Sequence, residues 1–381
     1  MKKVIRLFLL SLTVFVLGCS EDDDPATPAP EITLEAPEDG FDILITETLL
    51  LKPTVKYAEG ASYLWRLDGK EVSTDLHYEF KPELLKEYTI LLTVMTNAGN
   101  AKESVQIKVN PAPSTPPTAN SSPYITQIFD YQYAPGQHAQ SLAAGKDGTD
   151  FIGNTSSYVL LGGWGGYITA GFDHTVANQN SYDFGVYTQP GTGSEPGVVY
   201  VMKDLNGDGQ PNDGEWYELK GSEFSHQETI RNYEVTYSKP TNASDPVTWQ
   251  DNQGNSGSLV AGFGSGGATW WWDANATQVT FQGTKLPDSH YNANNNGGQY
   301  WTNYPDRFVW GYAENYQGSD HDANLKANLF DISNAVDAQG QPVTLTGIDF
   351  IKVQSGVFQV AGWLNEISTE VRGAFDVQLV M

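Results

Sequence analysis

The only cysteine in this chain of 381 residues is Cys19, so nothing that folds behind it has a disulfide or a thiolate metal site. Stability must come from ordinary hydrophobic cores, with bound calcium as one further source. The cysteine also stands where a processing signal needs it. Lys2, Lys3 and Arg6 give a positive start, Leu7 to Leu17 form an apolar stretch too short to span a bilayer, and Val16-Leu17-Gly18-Cys19 reads as a lipobox. The expectation is a lipoprotein signal over residues 1–18. Its removal would leave an acylated Cys19 that tethers an extracytoplasmic protein to a membrane by lipid.

Charge narrows the partners. Losing residues 1–18 removes three basic residues and no acid, which moves the formal charge from −25 to −28. So acidic a chain is repelled by phosphate backbones, and no basic stripe with interleaved aromatics offsets this, which excludes nucleic acid. Behind Cys19 comes Ser20-Glu21-Asp22-Asp23-Asp24. This run resembles the acidic export tag that Bacteroidetes place after the lipidated cysteine, which implies the outer leaflet of the outer membrane, facing the exterior.

Two low-complexity stretches divide the remainder. Residues 19–30 are an acidic, proline-rich tether, and residues 111–122 lie in a second run of proline and small polar residues; both predict extended, semi-rigid spacers. Between them, residues 31–110 alternate apolar and polar side chains in Ile32-Thr33-Leu34, Tyr63 to Leu67, Tyr88 to Val94 and Val105 to Val109. Asp68-Gly69 and Asn97-Ala98-Gly99-Asn100 supply turns. That is the pattern of a small β-sandwich. Its Tyr63-Leu64-Trp65-Arg66-Leu67-Asp68-Gly69-Lys70 resembles the tryptophan strand and turn of PKD-type domains, and Glu87-Tyr88-Thr89-Ile90 their later tyrosine strand. An unrelated immunoglobulin-like sandwich fits the pattern too; in either, Trp65 is core.

Residues 123–381 hold nine of the ten tryptophans. Strand patterns recur at Tyr158 to Leu161, Tyr167 to Phe172, Val198 to Met202, Tyr233 to Tyr237, Thr277 to Phe281, Phe308 to Tyr312, Ile348 to Gln354 and Phe375 to Leu379. Gly- and Asn-rich loops intervene, and only Leu325 to Phe330 suggests a helical turn. The chain as a whole is therefore read as all-β, with this part a larger jelly-roll-like sandwich.

One loop has metal-binding spacing. Counting from Asp204, side-chain oxygens fall at positions 1, 3, 5, 9 and 12 (Asp204, Asn206, Asp208, Asn212, Glu215), Gly209 falls at position 6, and Gln210 offers its carbonyl at position 7. This is the order of an EF-hand loop. Pro211 and strand-like flanks argue against a paired, regulatory EF-hand, which leaves a single structural Ca²⁺ site or a plain acidic hairpin loop.

Aromatic residues supply the candidate ligand platform. Trp164 lies in Gly162-Gly163-Trp164-Gly165-Gly166-Tyr167, where the missing side chains admit a flat ligand or another backbone. Trp270-Trp271-Trp272 follows a glycine-rich run, and in a strand Trp270 and Trp272 face opposite to Trp271. An Asn-rich segment ends at Tyr300-Trp301. Flat rings stack on the apolar faces of sugars or of a corrin-type macrocycle, while Asn, Gln and Asp fix orientation; each ring taken singly also fits a core role.

No compact catalytic signature is present: no H-E-x-x-H, no G-x-S-x-G, no P-loop and no cysteine nucleophile. His174, His226, His290 and His321 are scattered. Asp320-His321-Asp322 is the one dense His/Asp group and reads as an exposed loop. Acid pairs such as Glu366 and Glu370 have no specificity as glycosidase signals. A protein that is not an enzyme is expected.

Finally, Leu160 to Ile168 followed by Gly171-Phe172-Asp173-His174, together with Asp183 to Tyr187, Glu195 to Val199, Glu215 to Leu219, Ile348 to Val353 and Gly362 to Glu370, resembles Bacteroidetes cell-surface lipoproteins, some with a PKD-like domain. The likeness is to the group associated with corrinoid uptake, including BtuH-type vitamin B12-binding lipoproteins. It implies a β-rich ligand-capture domain; the leading expectation is a protein that captures a corrinoid and passes it to a TonB-dependent outer-membrane transporter. A glycan-binding or glycan-cleaving surface protein, and a structural adhesion protein, are the alternatives.

Overall fold

A computed structural model describes residues 27–143, 145–153, 157–179, 181–188, 193–242, 245–259, 275–294 and 296–380. Cys19 and Trp270 to Trp272 lie outside these residues. The chain divides into two units, Met1–Pro111 and Ala112–Met381. No helix among the described residues is long and apolar enough to cross a membrane.

In the first unit, alternation in Glu87–Thr96 sends Tyr88, Ile90, Leu92 and Val94 inward, and the paired strand Gly99–Asn110 sends Val105, Ile107 and Val109 to meet them. These strands sit centrally in a five-stranded sheet that also holds Ser62–Leu67, Lys70–Ser73 and, parallel to Gly99–Asn110, Phe41–Leu44. Two short pairs, Glu31–Thr33 with Thr54–Lys56 and Leu49–Leu51 with Tyr78–Phe80, complete the unit. Trp65 is fully buried among them, its indole N–H donating to the Asp75 carbonyl at 2.9 Å. Asp68 and Gly69 both take positive φ, which matches the right-handed twist of a two-residue hairpin.

The second unit is an antiparallel sandwich. One sheet runs Gln127–Gln132, Tyr167–Ala177, Gly347–Ser355, Gly197–Met202, Tyr217–Leu219, Ala335–Val336. The other runs Val159–Leu160, Glu370–Asp376, Phe184–Thr188, Ala327–Phe330, His321–Asp322. Ile168, Ala170, Val199, Val201, Ile351 and Val353 of the first meet Val159, Phe184, Val186, Val371 and Ala374 of the second in one core. The opposite face of Gly197–Met202 is covered as well: Val198 and Tyr200 pack with Leu286, Phe308, Tyr312 and Val357. This explains its unbroken apolar run. A further four-stranded sheet, Ser256–Leu259, Val247–Asp251, Ile230–Ser238, Gln278–Lys285, carries its own core of Tyr233, Val235, Tyr237, Val247 and Phe281.

Four expectations are corrected. Leu325 to Phe330 is no helical turn, because Ala327–Phe330 pairs between two strands. Phe308 to Tyr312 is no strand: Phe308 takes φ 57°, and buried side chains rather than a neighbouring strand satisfy the segment, Glu223 accepting from Phe308 N, Ser222 from Val309 N and Asp320 from Gly311 N. The last strand stops at Asp376, whose carboxylate caps Gln378 N, and Val377–Val380 forms a helical turn. Residues 112–122, lastly, are extended but not a free spacer. Ala112 N donates to the Leu205 carbonyl, Thr115 exchanges hydrogen bonds with Thr175, and Ser122 N donates to Asp173, which pins the segment along the second unit.

Candidate functional site

Trp164 is almost fully buried, at 1 % exposure. Of the two approaches that its flanking glycines allow, backbone takes one. A Cβ on Gly162 would lie 2.2 Å from the Ala134 carbonyl oxygen and one on Gly166 1.8 Å from that of Leu161, while one on Gly165 would strike the Phe281 side chain. The indole is packed edge-on against Tyr233, with ring centroids 4.8 Å apart, and Tyr237 donates to the Trp164 carbonyl at 2.9 Å. Its own Nε1 has no hydrogen-bond partner among the described residues.

Beyond this indole the four-stranded sheet opens into a cavity of about 340 Å³. Trp164, Tyr233, Trp249, Phe358 and Leu259 form its apolar wall, and Asp251, Gln253, Asn255, Lys285, Gln359 and Glu366 its polar margin. Trp249 stands 4.8 Å from Phe358, ring centre to ring centre. Gly257 is its cross-strand partner, where a Cβ would come within 2.7 Å of the indole. The Trp-opposite-Gly pair thus lays the ring across the sheet, a feature that shows only once the hairpin register is set. Of the residues proposed from sequence, Trp164 alone among the described ones lines this cavity. The strand Ser256–Leu259 ends at its rim, directly before residues 260–274, which include Trp270 to Trp272.

The polar margin is organised by Asp251. It accepts from Tyr233 Oη at 2.6 Å, from Asn255 N at 2.7 Å and from Gln253 N at 3.0 Å. Against a burial penalty, these bonds hold its carboxyl below the ordinary range, whereas burial and the bond to Asp251 push the Tyr233 phenol up. Glu366 behaves oppositely. Burial raises it to about 8, although Gln137 N donates to it, so this carboxyl carries a proton at neutral pH and can donate a hydrogen bond into the cavity.

Tyr167 faces a different, more open cleft of about 410 Å³, with Phe129, Asp130, Trp216, Lys352 and the loop residues Gln210 and Asn212. Lys352 Nζ lies 4.5 Å from the Tyr167 ring centre and 5.4 Å from that of Tyr200. Burial lowers this amine to about 8, opposed by Asp130. Trp301 is half-buried, packed on the Val198 and Leu286 cluster, with Gly362 in the left-handed region beneath its indole and Nε1 without a partner.

The 204–215 loop joins Gly197–Met202 to Tyr217–Leu219. Asp204 accepts from Gly207 N and Gly209 N, Asn206 from Asp208 N, and Asp208 from Gln210 N and Asn212 Nδ2. Glu215 points elsewhere, accepting from Ala338 N at 2.6 Å. Asp213 turns in instead, accepting from Leu205 N at 2.7 Å.

The histidines serve separate neighbours. His174 is buried between Asp173 and Asp376, and His290 bonds Ser289. Asp320-His321-Asp322 is not an exposed loop: Asp320 is buried, bonded to Gly311 N and Asn328. A group with no signal in the sequence gathers Glu195, Glu314 and Glu370, one oxygen of each lying within 4.8 Å of the others.

Residues 29–96 match the model of the PKD-like domain family, in keeping with the PKD reading of the first unit. Comparison of the whole sequence with curated proteins finds no match. Among solved structures, the PKD domain of human KIAA0319 aligns at 19 % identity and TM-score 0.20, covering 27 % of this chain and 100 % of that one. A SusE-like protein aligns at 7 % and 0.18, covering 92 % and 99 %. SGBP-B of a Bacteroides ovatus mixed-linkage glucan utilization locus, in complex with a mixed-linkage heptasaccharide, aligns at 12 % and 0.20, covering 85 % and 99 %. Scores this low carry no argument about function.

Proposed function

We propose that this is a non-enzymatic, lipid-anchored outer-membrane protein whose second unit captures a nutrient at the Trp164–Trp249–Phe358 cavity and passes it to a TonB-dependent transporter, the PKD-like unit acting as a spacer. One observation carries the reading: an aromatic-walled cavity of about 340 Å³ has a polar margin and, in its wall, a buried indole N–H with no partner among the described residues. That volume sits at the low end for small-ligand sites. A buried donor without an acceptor costs roughly 1–3 kcal/mol, which a ligand oxygen would recover.

Asp251, Gln253, Asn255, Lys285 and protonated Glu366 supply donors and acceptors around flat rings, a combination that suits a corrinoid, whose rim of amides would meet the margin while one edge enters. The cavity's size also favours a second reading, a glycan presenting one or two sugar rings to Trp249 and Phe358. A Ca²⁺ ion in the 204–215 loop belongs to the proposal, held by Asp204, Asn206, Asp208, Asn212 and the Gln210 carbonyl, with Asp213 in place of Glu215. Its part is structural, fixing a hairpin whose tip borders the Tyr167 cleft.

Titration calorimetry of the purified chain with cyanocobalamin, and separately with soluble glycans, tests the reading. Saturable one-to-one binding that Trp249→Ala weakens at least tenfold, with the fold intact by circular dichroism, supports it. No heat with either ligand, or equal affinity in the variant, counts against it.

A further inference from the structure

Three glutamates far apart in the chain converge in the second unit. Glu195 and Glu314 are tied together by backbone: Glu195 N donates to the Glu314 carbonyl at 3.1 Å, and Gly197 and Ala313 exchange two bonds of 3.0 Å. Glu370 opens the strand Glu370–Asp376, and its N–H donates to the Glu314 carboxylate. One oxygen of each carboxylate lies within 4.8 Å of the other two. Glu314 is buried at 4 % exposure, and the other two are half-buried, which leaves a way in from solvent.

Such a group is by itself only three acids. What turns it into a site is Ser368. This residue is 4 % exposed, its amide donates to Glu195 Oε2 at 2.9 Å, and its hydroxyl lies beside the Glu370 carboxylate yet completes no hydrogen bond. A buried hydroxyl aimed into a carboxylate cluster and left without a partner offers a fourth oxygen to a ligand. The charged groups acting on Glu314 and Glu370 are other carboxylates, with no Lys, Arg or His among them. Burial and mutual repulsion raise both carboxyls well above their ordinary range. A bound divalent cation removes both penalties at once.

We infer that Glu195, Glu314, Glu370 and the Ser368 hydroxyl form a divalent-cation site, separate from the 204–215 loop. All four donors are hard oxygens, which selects Ca²⁺ or Mg²⁺ over metals that prefer nitrogen or sulfur. Carboxylates and a hydroxyl drawn from three segments suit Ca²⁺, which takes about 6–8 oxygens in tolerant geometry, whereas Mg²⁺ demands a near-octahedral shell and keeps several waters, so Ca²⁺ is the ion assigned. It would clamp three segments, the entry to Gly197–Met202, the turn at Glu314 and the start of Glu370–Asp376. Glu366, whose charge acts on Glu370, lines the ligand cavity, so the ion would also bias its proton.

The test strips the purified full chain of metal and counts Ca²⁺ uptake by calorimetry and elemental analysis. Asp204→Ala with Asp208→Ala first disables the loop; the expected result is one Ca²⁺ per chain remaining, with Mg²⁺ at least tenfold weaker. Adding Glu314→Gln removes that ion while circular dichroism is retained. Should Glu314→Gln fail to fold, Ser368→Ala, which deletes one oxygen, weakens the remaining site severalfold. A loop-disabled protein that takes up no Ca²⁺ at millimolar concentration overturns the inference. So does Ca²⁺ affinity unchanged by Glu314→Gln and Ser368→Ala alike.

Discussion

Replacing Trp164 by alanine separates core from ligand platform. The indole is 1 % exposed, packed edge-on against Tyr233 at 4.8 Å and 6.2 Å from Phe358. Truncating a buried Trp costs about 3–5 kcal/mol, of which the edge-on pair accounts for roughly 1. Nε1 makes no bond among the described residues and the bond from Tyr237 goes to the backbone carbonyl, so no such hydrogen bond is lost and the expected cost is about 3–4 kcal/mol. At about 2–4 °C per kcal/mol for a unit of this size, Tm of the second unit falls by about 10 °C. Differential scanning calorimetry reads this directly, with the PKD-like unit, built on its own Trp65 core, as an internal reference. Trp249→Ala, at a half-buried ring, costs roughly 1–2 kcal/mol and chiefly removes ligand affinity. If Trp164→Ala left Tm within a degree of the parent, the indole would not be core and the description of the cavity wall would fail.

Three further outcomes are expected. Gly257→Leu places a Cβ against the Trp249 indole, displacing it; ligand affinity falls at least as far as in Trp249→Ala, at about 1–3 kcal/mol of stability, read by calorimetry and urea denaturation. Burial raises the Glu218 carboxyl to about 7, so between pH 4.5 and 7 the folded state keeps a proton that the unfolded chain has released. Stability therefore falls by up to ~3 kcal/mol as pH rises through that window and levels off above it; urea midpoints across pH should show this slope reduced in Glu218→Gln. The Lys352 amine titrates near 8, below an ordinary lysine, and Asp130→Asn lowers it further because Asp130 supports the charged form; NMR of ¹³C-dimethylated protein follows it, and an ordinary lysine value in the parent would refute the burial.

Much of the architecture was readable because local pattern and final environment agree. Tyr233 to Tyr237 alternates, and Tyr233, Val235 and Tyr237 are the buried face. Where pattern failed, side chains distant in sequence had replaced a strand partner: Phe-Val-Trp at 308–310 has the aromatic and β-branched composition of a strand but is held by Ser222 and Glu223. The site was harder to read. The cavity depends on a Trp249–Gly257 pairing across a hairpin, visible only once register is known. The glutamate cluster draws three members from 46 acidic residues at positions with no shared spacing, so tertiary structure alone singles them out. In the calcium-type loop, spacing identified the right segment, but Glu215 is drawn to Ala338 N and Asp213 takes the inward place.

The central claim is that ligand enters the cavity beside Trp249. Hydrogen exchange, measured with and without a saturating concentration of whichever ligand binds by calorimetry, tests it most directly. The account predicts slower exchange in Val247–Asp251, Ser256–Leu259 and residues 357–360, with the Tyr167 cleft unchanged. Protection confined to the Tyr167 cleft or to the PKD-like unit would contradict it.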